Sequence, residues 1–436
     1  MQLQGKGARV APGPPNQPRR APQPLLLGRS SAPAPVSRRG ALGSSATRPQ
    51  DHAALAGFSR PATLLKAQEP DHAESPSAVI GRLKPIYRDA NFPTDAQGRT
   101  YHLGTREGEV APRILSVGTV TRAQLVATLL QPPAPGRQLF QRVSSRGFHT
   151  ITGRFEGVPV SIVSTHMGMP NMDFVVRENR AVVRGQMAIV RLGTCGAVQH
   201  PAKLGDLLVA SHGSIAVRRD ADYWSLLERD EHQPSARTAN GGGSSNGHTA
   251  NGHAANGHGP APAAPDVCFV EGPSALAGRR PYSVSLPVRS DPYLASILVE
   301  AAAAVVGPGR VVQGLTASAD SFYSSQGRTG PEFDDANEGL LGALTKAHPD
   351  LMSLEMETFH LMDLARCSKG SIRATGICVA LAERYSNEFM EYSKLPALEL
   401  AGGTAALRAL AGVPLREATG EELAAAAAKG VQYVWE

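Results

Sequence analysis

Two arginines in this sequence stand beside glycines at apolar runs, a pattern suited to holding an anion. Gly118 ends one such run, and Arg122 follows it, so an open backbone and a positive charge could meet an anion together. A turn with a solvated arginine would look the same. Arg191 lies inside another apolar run, where an unpaired guanidinium is costly to bury. Its partner is therefore either a structural carboxylate or a phosphate that the Thr194 hydroxyl helps to hold.

The carboxylate of Glu357 is a candidate for binding the hydroxyls of a sugar. Residues 353–358 are expected to open a mostly apolar helix, so Glu357 can point inward, toward a pair of ribose hydroxyls. Acidic residues in a first helical turn also complement the helix dipole. That explanation is adopted for Glu355 and stays open for Glu357. A phosphate site together with a ribose site would suit phosphorolysis, which also needs donors that stabilise the departing base.

Short apolar runs that alternate with helical patterns must position these groups. The runs typical of buried strands are 113–119, 159–166, 187–194, 205–212, 310–319 and 372–382. Helices are predicted over 171–184, with Asn171 as the N-cap, and over 354–367. Alternation of this kind predicts an α/β domain with a largely central sheet.

The composition limits the class of protein. Of the 436 residues 42% are hydrophobic, enough for one large domain. The first 50 residues contain no acidic residue and eight basic ones, so the +6 of the whole chain leaves −2 for the rest, which argues against a nucleic-acid partner. No apolar stretch approaches the roughly 18–20 residues of a membrane span. Four widely spaced cysteines indicate neither a disulfide framework nor a metal site. We expect a soluble protein.

Two segments are expected to lie outside the folded domain. Residues 1–84 are rich in Pro, Ala, Arg and Ser and predict a disordered extension. This extension could be a transit peptide for a plastid or mitochondrion; otherwise the protein would be cytoplasmic. Residues 233–266 repeat Asn-Gly-His and predict a flexible insertion, whose histidines have no fixed scaffold for a metal ion. The folded domain would then be 85–436.

Four stretches in a fixed order resemble the nucleoside phosphorylase family. They are IVSTHMGMPNMDF at 162–174, RLGTCGAVQH at 191–200, SADSFYSSQGRT at 318–329 and LEMETF at 354–359. The third is similar to the base-binding loop of the uridine phosphorylases within that family. The resemblance covers about residues 100–385 and implies a single domain whose mixed, partly barrel-like sheet is flanked by helices.

The resemblance implies a role for each matching residue. Gly118, Arg122, Arg146, Arg191 and Thr194 would hold phosphate, Arg146 being supplied by a neighbouring subunit; His102, Met356 and Glu357 would bind ribose, His102 across the dimer interface; Phe322, Gln326 and Arg328 would bind the pyrimidine. Arg191, Thr194, Glu357 and Arg328 would be the catalytic set. Taken alone, His102 would count as structural or solvent-facing.

The implied reaction is attack of inorganic phosphate on C1′ of uridine, which yields uracil and ribose 1-phosphate. It needs no cofactor or metal, and its partners are these substrates and further copies of the chain, as a dimer or a hexamer, with no nucleic acid and no membrane.

Some positions depart from the family pattern. Gly147 stands where a glutamate of the family's monovalent-cation site is expected, and Asn171 replaces a serine there, so dependence on a cation is in doubt. Arg384 occupies the region of an expected Asn-Arg pair. Purine nucleoside phosphorylases place an acid near Ala382, and here Glu383 is one residue away, so purine cleavage remains an alternative. Hydrolytic nucleosidases and non-catalytic binding or storage proteins share the fold and remain as further alternatives.

Overall fold

The computed structural model describes residues 87–231 and 280–436, without the side chains of 227–231. The predicted extension 1–84 and the predicted insertion 233–266 lie outside the described residues, and so does Cys268.

Strands and helices alternate along most of the described chain. The strands are β1 Arg113–Val117, β2 Phe140–Val143, β3 His149–Phe155, β4 Val158–Ser164, β5 Met187–Ala197, β6 Leu207–Arg219, β7 Tyr282–Val284, β8 Val311–Ala319, β9 Leu351–Glu355, β10 Ile372–Glu383 and β11 Glu388–Phe389. The helices are α1 Val120–Ala127, α2 Met169–Val182, α3 Ala221–Glu231, α4 Pro292–Val306, α5 Leu340–Ala347, α6 Thr358–Cys367, α7 Leu395–Gly412 and α8 Gly420–Ala428.

The sheet runs in the order β11-β10-β6-β8-β9-β5-β1-β4-β3-β2, with β7 beside β6. Because β10 also pairs with β5, the five strands β10, β6, β8, β9 and β5 close into a ring. Parallel and antiparallel pairs both occur, since β5 is parallel to β1 and β10 but antiparallel to β9. The predicted mixed, partly barrel-like sheet is confirmed.

Helices cover both faces of the sheet. Leu115, Leu192 and Leu407 belong to one buried cluster, which joins the sheet to α1, α4 and α7. Met172 and Leu361 belong to another, which joins the sheet to α2 and α6. This arrangement explains why the predicted strands read as continuous apolar runs, because their side chains are buried on both faces.

Two helix boundaries differ from the prediction. Helix α2 begins at Met169 after Gly168, and Asn171 lies within its first turn, where its side-chain amide donates to the carbonyl of Met167 at 2.6 Å. The predicted cap at Asn171 is therefore wrong. The helix predicted from residue 354 begins only at Thr358, because residues up to Glu355 form β9. The apolar spacing of a short buried strand resembles that of a helical turn, and pairing with β5 and β8 decides between them.

No helix among residues 87–231 and 280–436 is long and apolar enough to cross a membrane.

Candidate active site

A cleft of about 200 Å³ opens at the carboxyl ends of three adjacent parallel strands. Val117 of β1 is paired with Ser164 of β4 and with Leu192 of β5, so the residues that follow these strands lie side by side. Nine of the predicted site residues line the cleft: Gly118, Arg122, Arg191, Thr194, Phe322, Gln326, Arg328, Met356 and Glu357. The structure thus brings together residues that are up to about 240 positions apart in the sequence.

Arg122 and Arg191 supply buried positive charge at one end of the cleft. Arg122 lies in the first turn of α1, after the capping hydroxyl of Thr119, and its Nε donates to Glu399 of α7 at 2.6 Å. Its side chain is only 7% exposed and that of Glu399 only 12%. A buried carboxylate therefore holds this guanidinium in place, and the sequence offered no signal for that partner because α7 lies far along the chain.

Arg191 is bound to carboxylates and still has donors to spare. Its Nη2 donates to Glu357, and its Nε lies 3.5 Å from Glu355. Among the described residues, Nε and Nη1 have no hydrogen-bond partner. Burial opposes the charge, but Glu357 and Glu355 hold the pKa of Arg191 above its ordinary value. The sequence left a carboxylate and an anion as alternatives for this arginine. The carboxylate is present, and the unpaired Nη1 is a donor that no carboxylate uses.

The buried carboxyl groups of Glu355 and Glu357 share the single guanidinium of Arg191. Burial is the main cause of the raised pKa of Glu357, Arg191 counteracts it in part, and Glu355 adds to it by repulsion. The other oxygen of Glu357 accepts from the backbone N–H of Gly168 at 2.5 Å. Gly168 has a φ of +94°, a backbone conformation that glycine adopts at no steric cost.

The sequence interpretation of Glu355, as a residue of a first helical turn that complements the helix dipole, is wrong. Glu355 is 3% exposed, accepts a hydrogen bond from the Ser318 hydroxyl, and accepts from the backbone N–H groups of Glu357 at 2.9 Å and Thr358 at 3.0 Å. The original interpretation failed because it placed Glu355 on a helix, whereas Glu355 ends a buried strand and ties the start of α6 to the site.

The other end of the cleft is built around a short turn. The guanidinium of Arg328 lies over the Phe322 ring, 3.9 Å from its centroid, and its Nη1 donates to Oε1 of Gln326 at 2.9 Å. Burial, with a contribution from Arg384, lowers the pKa of Arg328 to about 10, which leaves it charged at neutral pH. Arg384 donates to the backbone carbonyls of Gln326 at 2.9 Å and Gly327 at 3.2 Å. The guanidinium of Arg384 thus holds the backbone of the turn at Gln326 and Gly327 in place.

His102 and Arg146 lie outside the cleft and close to each other. Nδ1 of His102 is 2.6 Å from Glu178, and its ring stacks on Phe174 at 3.7 Å. Nη2 of Arg146 donates to the hydroxyl of Tyr101 at 2.5 Å. Neither residue lines the cleft that the other nine share, and their assignment to a neighbouring subunit's site stays a prediction.

Several lining residues were not singled out from the sequence. His166, Met167 and Phe389 line the cleft, and Met167 and Phe389 are 73% and 63% exposed. His166 and Met167 stand inside the recognised run 162–174, so their place beside the strand end was available in the sequence. Phe389 comes from the β10–β11 hairpin, whose pairing of Ala382 with Phe389 only the structure shows.

Comparison with known proteins shows to which family the chain belongs. Residues 112–395 match the sequence profile of the phosphorylase superfamily. The chain belongs to the phosphorylase superfamily. Enzymes of this family bind a nucleoside and phosphate, and the phosphorylase described here is accordingly a pentosyltransferase-type enzyme.

Individual relatives agree with this assignment. The phosphorylase is 27% identical over 302 residues to a uridine phosphorylase from Thermococcus kodakarensis, covering 69% of this chain and 83% of that protein. A DeoD-type purine nucleoside phosphorylase from Oceanobacillus iheyensis is 34% identical over 112 residues, which are 25% of this chain and only 44% of that protein. A solved structure from a study of two uridine phosphorylases of the oomycete Phytophthora capsici is 39% identical, with a TM-score of 0.60, and covers 76% of this chain and 100% of that one.

The position of Glu383 bears on the purine alternative for this phosphorylase. A hydrogen bond from the backbone N–H of Leu204 is the main cause of the lowered pKa of Glu383, and a hydrogen bond from the Ser386 hydroxyl adds to it. Ala382 lines the cleft, but Glu383 does not. A carboxylate with a lowered pKa outside the cleft is a poor proton donor to a purine ring.

No cluster of three or more His, Cys, Asp or Glu side chains suited to a metal ion occurs in the described parts of the phosphorylase. Asn171, at one position of the family's cation site, has its side-chain amide committed to the Met167 carbonyl.

Proposed function

We propose that this phosphorylase cleaves uridine with inorganic phosphate, giving uracil and ribose 1-phosphate, and that the reaction is reversible. The observation that carries the choice of base is the pair formed by Gln326 and Arg328. Gln326 is 2% exposed, and its carbonyl oxygen is already engaged by Arg328, so its amide N–H groups and the remaining guanidinium donors can serve the two carbonyl groups of uracil. The 27% and 39% identical relatives are named as uridine phosphorylases, which supports the same choice.

The charged residues along the cleft support phosphorolysis of a nucleoside. Phosphate would bind between Arg122 and Arg191, with Thr194 and the open backbone at Gly118 beside it. Ribose would lie against Met356 and the carboxylate of Glu357, in a cluster with two acids and one arginine, which suits a sugar that becomes cation-like as the bond to the base breaks. Negative charge would then develop on the pyrimidine carbonyl, where Arg328 stabilises it.

The active unit would be at least a dimer. His102 and Arg146 form a separate cluster away from the cleft, which is the arrangement expected if each chain lends both residues to its neighbour. His102 would then reach the 5′-hydroxyl of ribose, and Arg146 the phosphate. Inorganic phosphate is the only co-substrate that this reaction requires, and no cofactor enters it.

A screen of phosphate-dependent cleavage tests the proposal. Purified protein is incubated with phosphate and, separately, uridine, thymidine, inosine or methylthioadenosine, and the free base is measured by chromatography. Uracil release that requires phosphate is the expected result. Preference for inosine would establish the purine alternative, base release without phosphate would indicate a hydrolase, and no release from any substrate would favour a binding or storage protein.

A further inference from the structure

The turn between β4 and α2, residues 165–168, meets both positions at which this chain departs from the family's monovalent-cation site. Gly147 stands where that site has a glutamate, and Asn171 stands where it has a serine. A Cβ atom added to Gly147 would lie 3.5 Å from Nε2 of His166. The side-chain amide of Asn171 donates to the carbonyl of Met167 at 2.6 Å. The two departures thus converge on two adjacent residues of one turn.

These residues do not fit a monovalent cation such as K⁺. Proteins hold such an ion with oxygen atoms that replace its water shell. Position 147 offers no carboxylate, and the imidazole of His166 lies against the point where that side chain would begin. The Met167 carbonyl oxygen already accepts an N–H from Asn171. This amide cannot be turned the other way, because its own oxygen would then face the carbonyl oxygen at 2.6 Å.

The hydrogen bond from Asn171 fixes a turn that reaches the proposed ribose end of the cleft. The backbone N–H of Asn171 closes the same turn by donating to the Gly168 carbonyl at 3.2 Å. The backbone N–H of Gly168, one residue after Met167, donates to the carboxylate of Glu357 at 2.5 Å. Asn171 itself does not line the cleft. It can therefore act on the proposed ribose-binding carboxylate only through this stretch of backbone.

We infer that the side-chain N–H of Asn171 takes the place of the monovalent cation in this phosphorylase. The N–H covers the Met167 carbonyl with positive partial charge, and so keeps the next N–H directed at Glu357. Asn171 is thus a positioning residue, and turnover requires neither K⁺ nor Na⁺. The inference rests on the proposed phosphorolysis, but not on which base the enzyme accepts.

Replacing K⁺ by tetramethylammonium tests the inference on the wild-type protein. Tetramethylammonium chloride at equal concentration keeps the ionic strength, but its methyl groups prevent coordination by oxygen atoms. The kcat/KM for the nucleoside that is cleaved best should agree within about two-fold between the two salts. The melting temperature without substrate should be the same in both, and this readout does not depend on turnover. Greater activation by K⁺, or a higher melting temperature in KCl, would overturn the inference.

The variant Asn171→Asp exchanges the N–H donor for an oxygen atom of similar size. In tetramethylammonium chloride its carboxylate should repel the Met167 carbonyl and loosen the contact of Gly168 with Glu357. Loss of this one hydrogen bond should raise the KM for the nucleoside by about 3- to 10-fold. Addition of K⁺ should restore most of the wild-type KM, because a cation between the two oxygen atoms does what the N–H did. A purely structural role of Asn171 would produce no such response to the ion.

The matched control is Gln186→Glu, because Nε2 of Gln186 also donates to a backbone carbonyl, that of Gly370 at 2.9 Å, and Gln186 does not line the cleft. Its KM should equal the wild-type value in both salts. A wild-type KM for Asn171→Asp in both salts would contradict the inference, and so would an impairment that K⁺ does not relieve. If Asn171→Asp does not fold, the comparison of salts on the wild-type protein decides alone.

Discussion

Replacing Arg328 by alanine should reduce the kcat for uridine by about 100- to 1000-fold, the usual effect of losing one preorganised donor at a developing negative charge. Phosphate affinity should barely change, because that end of the cleft is built from Arg122 and Arg191. The variant should still fold, since the turn around residue 327 keeps the hydrogen bonds from the guanidinium of Arg384 to its carbonyl groups.

The contacts of Arg328 show how the loss would spread to a second residue. Its Nη1 donates to Oε1 of Gln326 at 2.9 Å, and Gln326 is buried. Without that donor the amide oxygen is left unpaired, at a cost of about 1–3 kcal/mol unless the side chain turns. A turned amide no longer presents its N–H groups to the base, so the KM for uridine should rise together with the fall in kcat.

Steady-state kinetics with uridine and inosine at saturating phosphate measure both effects. The control is Arg219→Ala, because Arg219 also lies over an aromatic ring, that of Trp224 at 3.5 Å, but does not line the cleft. It should leave both constants unchanged. If Arg328→Ala cleaves uridine within a few-fold of the wild type, or if the wild type prefers inosine, the assignment of this turn to a pyrimidine is wrong.

Three further outcomes are expected. Inactive Arg146→Ala and inactive Glu357→Ala subunits, once mixed and shown to exchange, should regain part of the wild-type activity through hybrid sites, and no recovery would count against a site shared between subunits. Glu399→Ala should lower the free energy of unfolding by about 3–5 kcal/mol in a denaturant titration and raise the KM for phosphate, because Arg122 loses its buried partner; unchanged stability would mean that the pair does not anchor this arginine. A chain without residues 1–84 and 235–264 should stay soluble and keep most of its turnover, because their composition cannot support a packed core, and loss of either property would show that these segments belong to the catalytic domain.

Residue types and order were sufficient to predict the α/β class and to single out nine of the residues that line the cleft. Strands buried on both faces give unbroken apolar runs, and β1, β4, β5, β8 and β10 all lie within or close to the predicted ranges. Glu357 follows the end of β9, Gln326 lies in the turn after β8, and Arg191 is a charged residue inside an apolar run, so all three could be singled out before the structure. The residues that follow adjacent parallel strands meet at one edge of the sheet whatever the detailed packing, which is why residues far apart in the sequence line one cleft.

The partners of those groups were decided by tertiary structure. Glu399 reaches Arg122 from a helix 277 positions away, and Arg384 reaches the turn of Gln326 from a strand end 58 positions away. Contacts between residues so far apart produce no local pattern in the sequence from which they could be predicted. Glu355 was misread for a related reason: a five-residue buried strand and a helical turn can carry the same apolar residues, and only pairing with neighbouring strands distinguishes them. Local sequence thus determined which chemistry was present, and long-range packing determined which charges are paired, which are free and which side chains share the cleft.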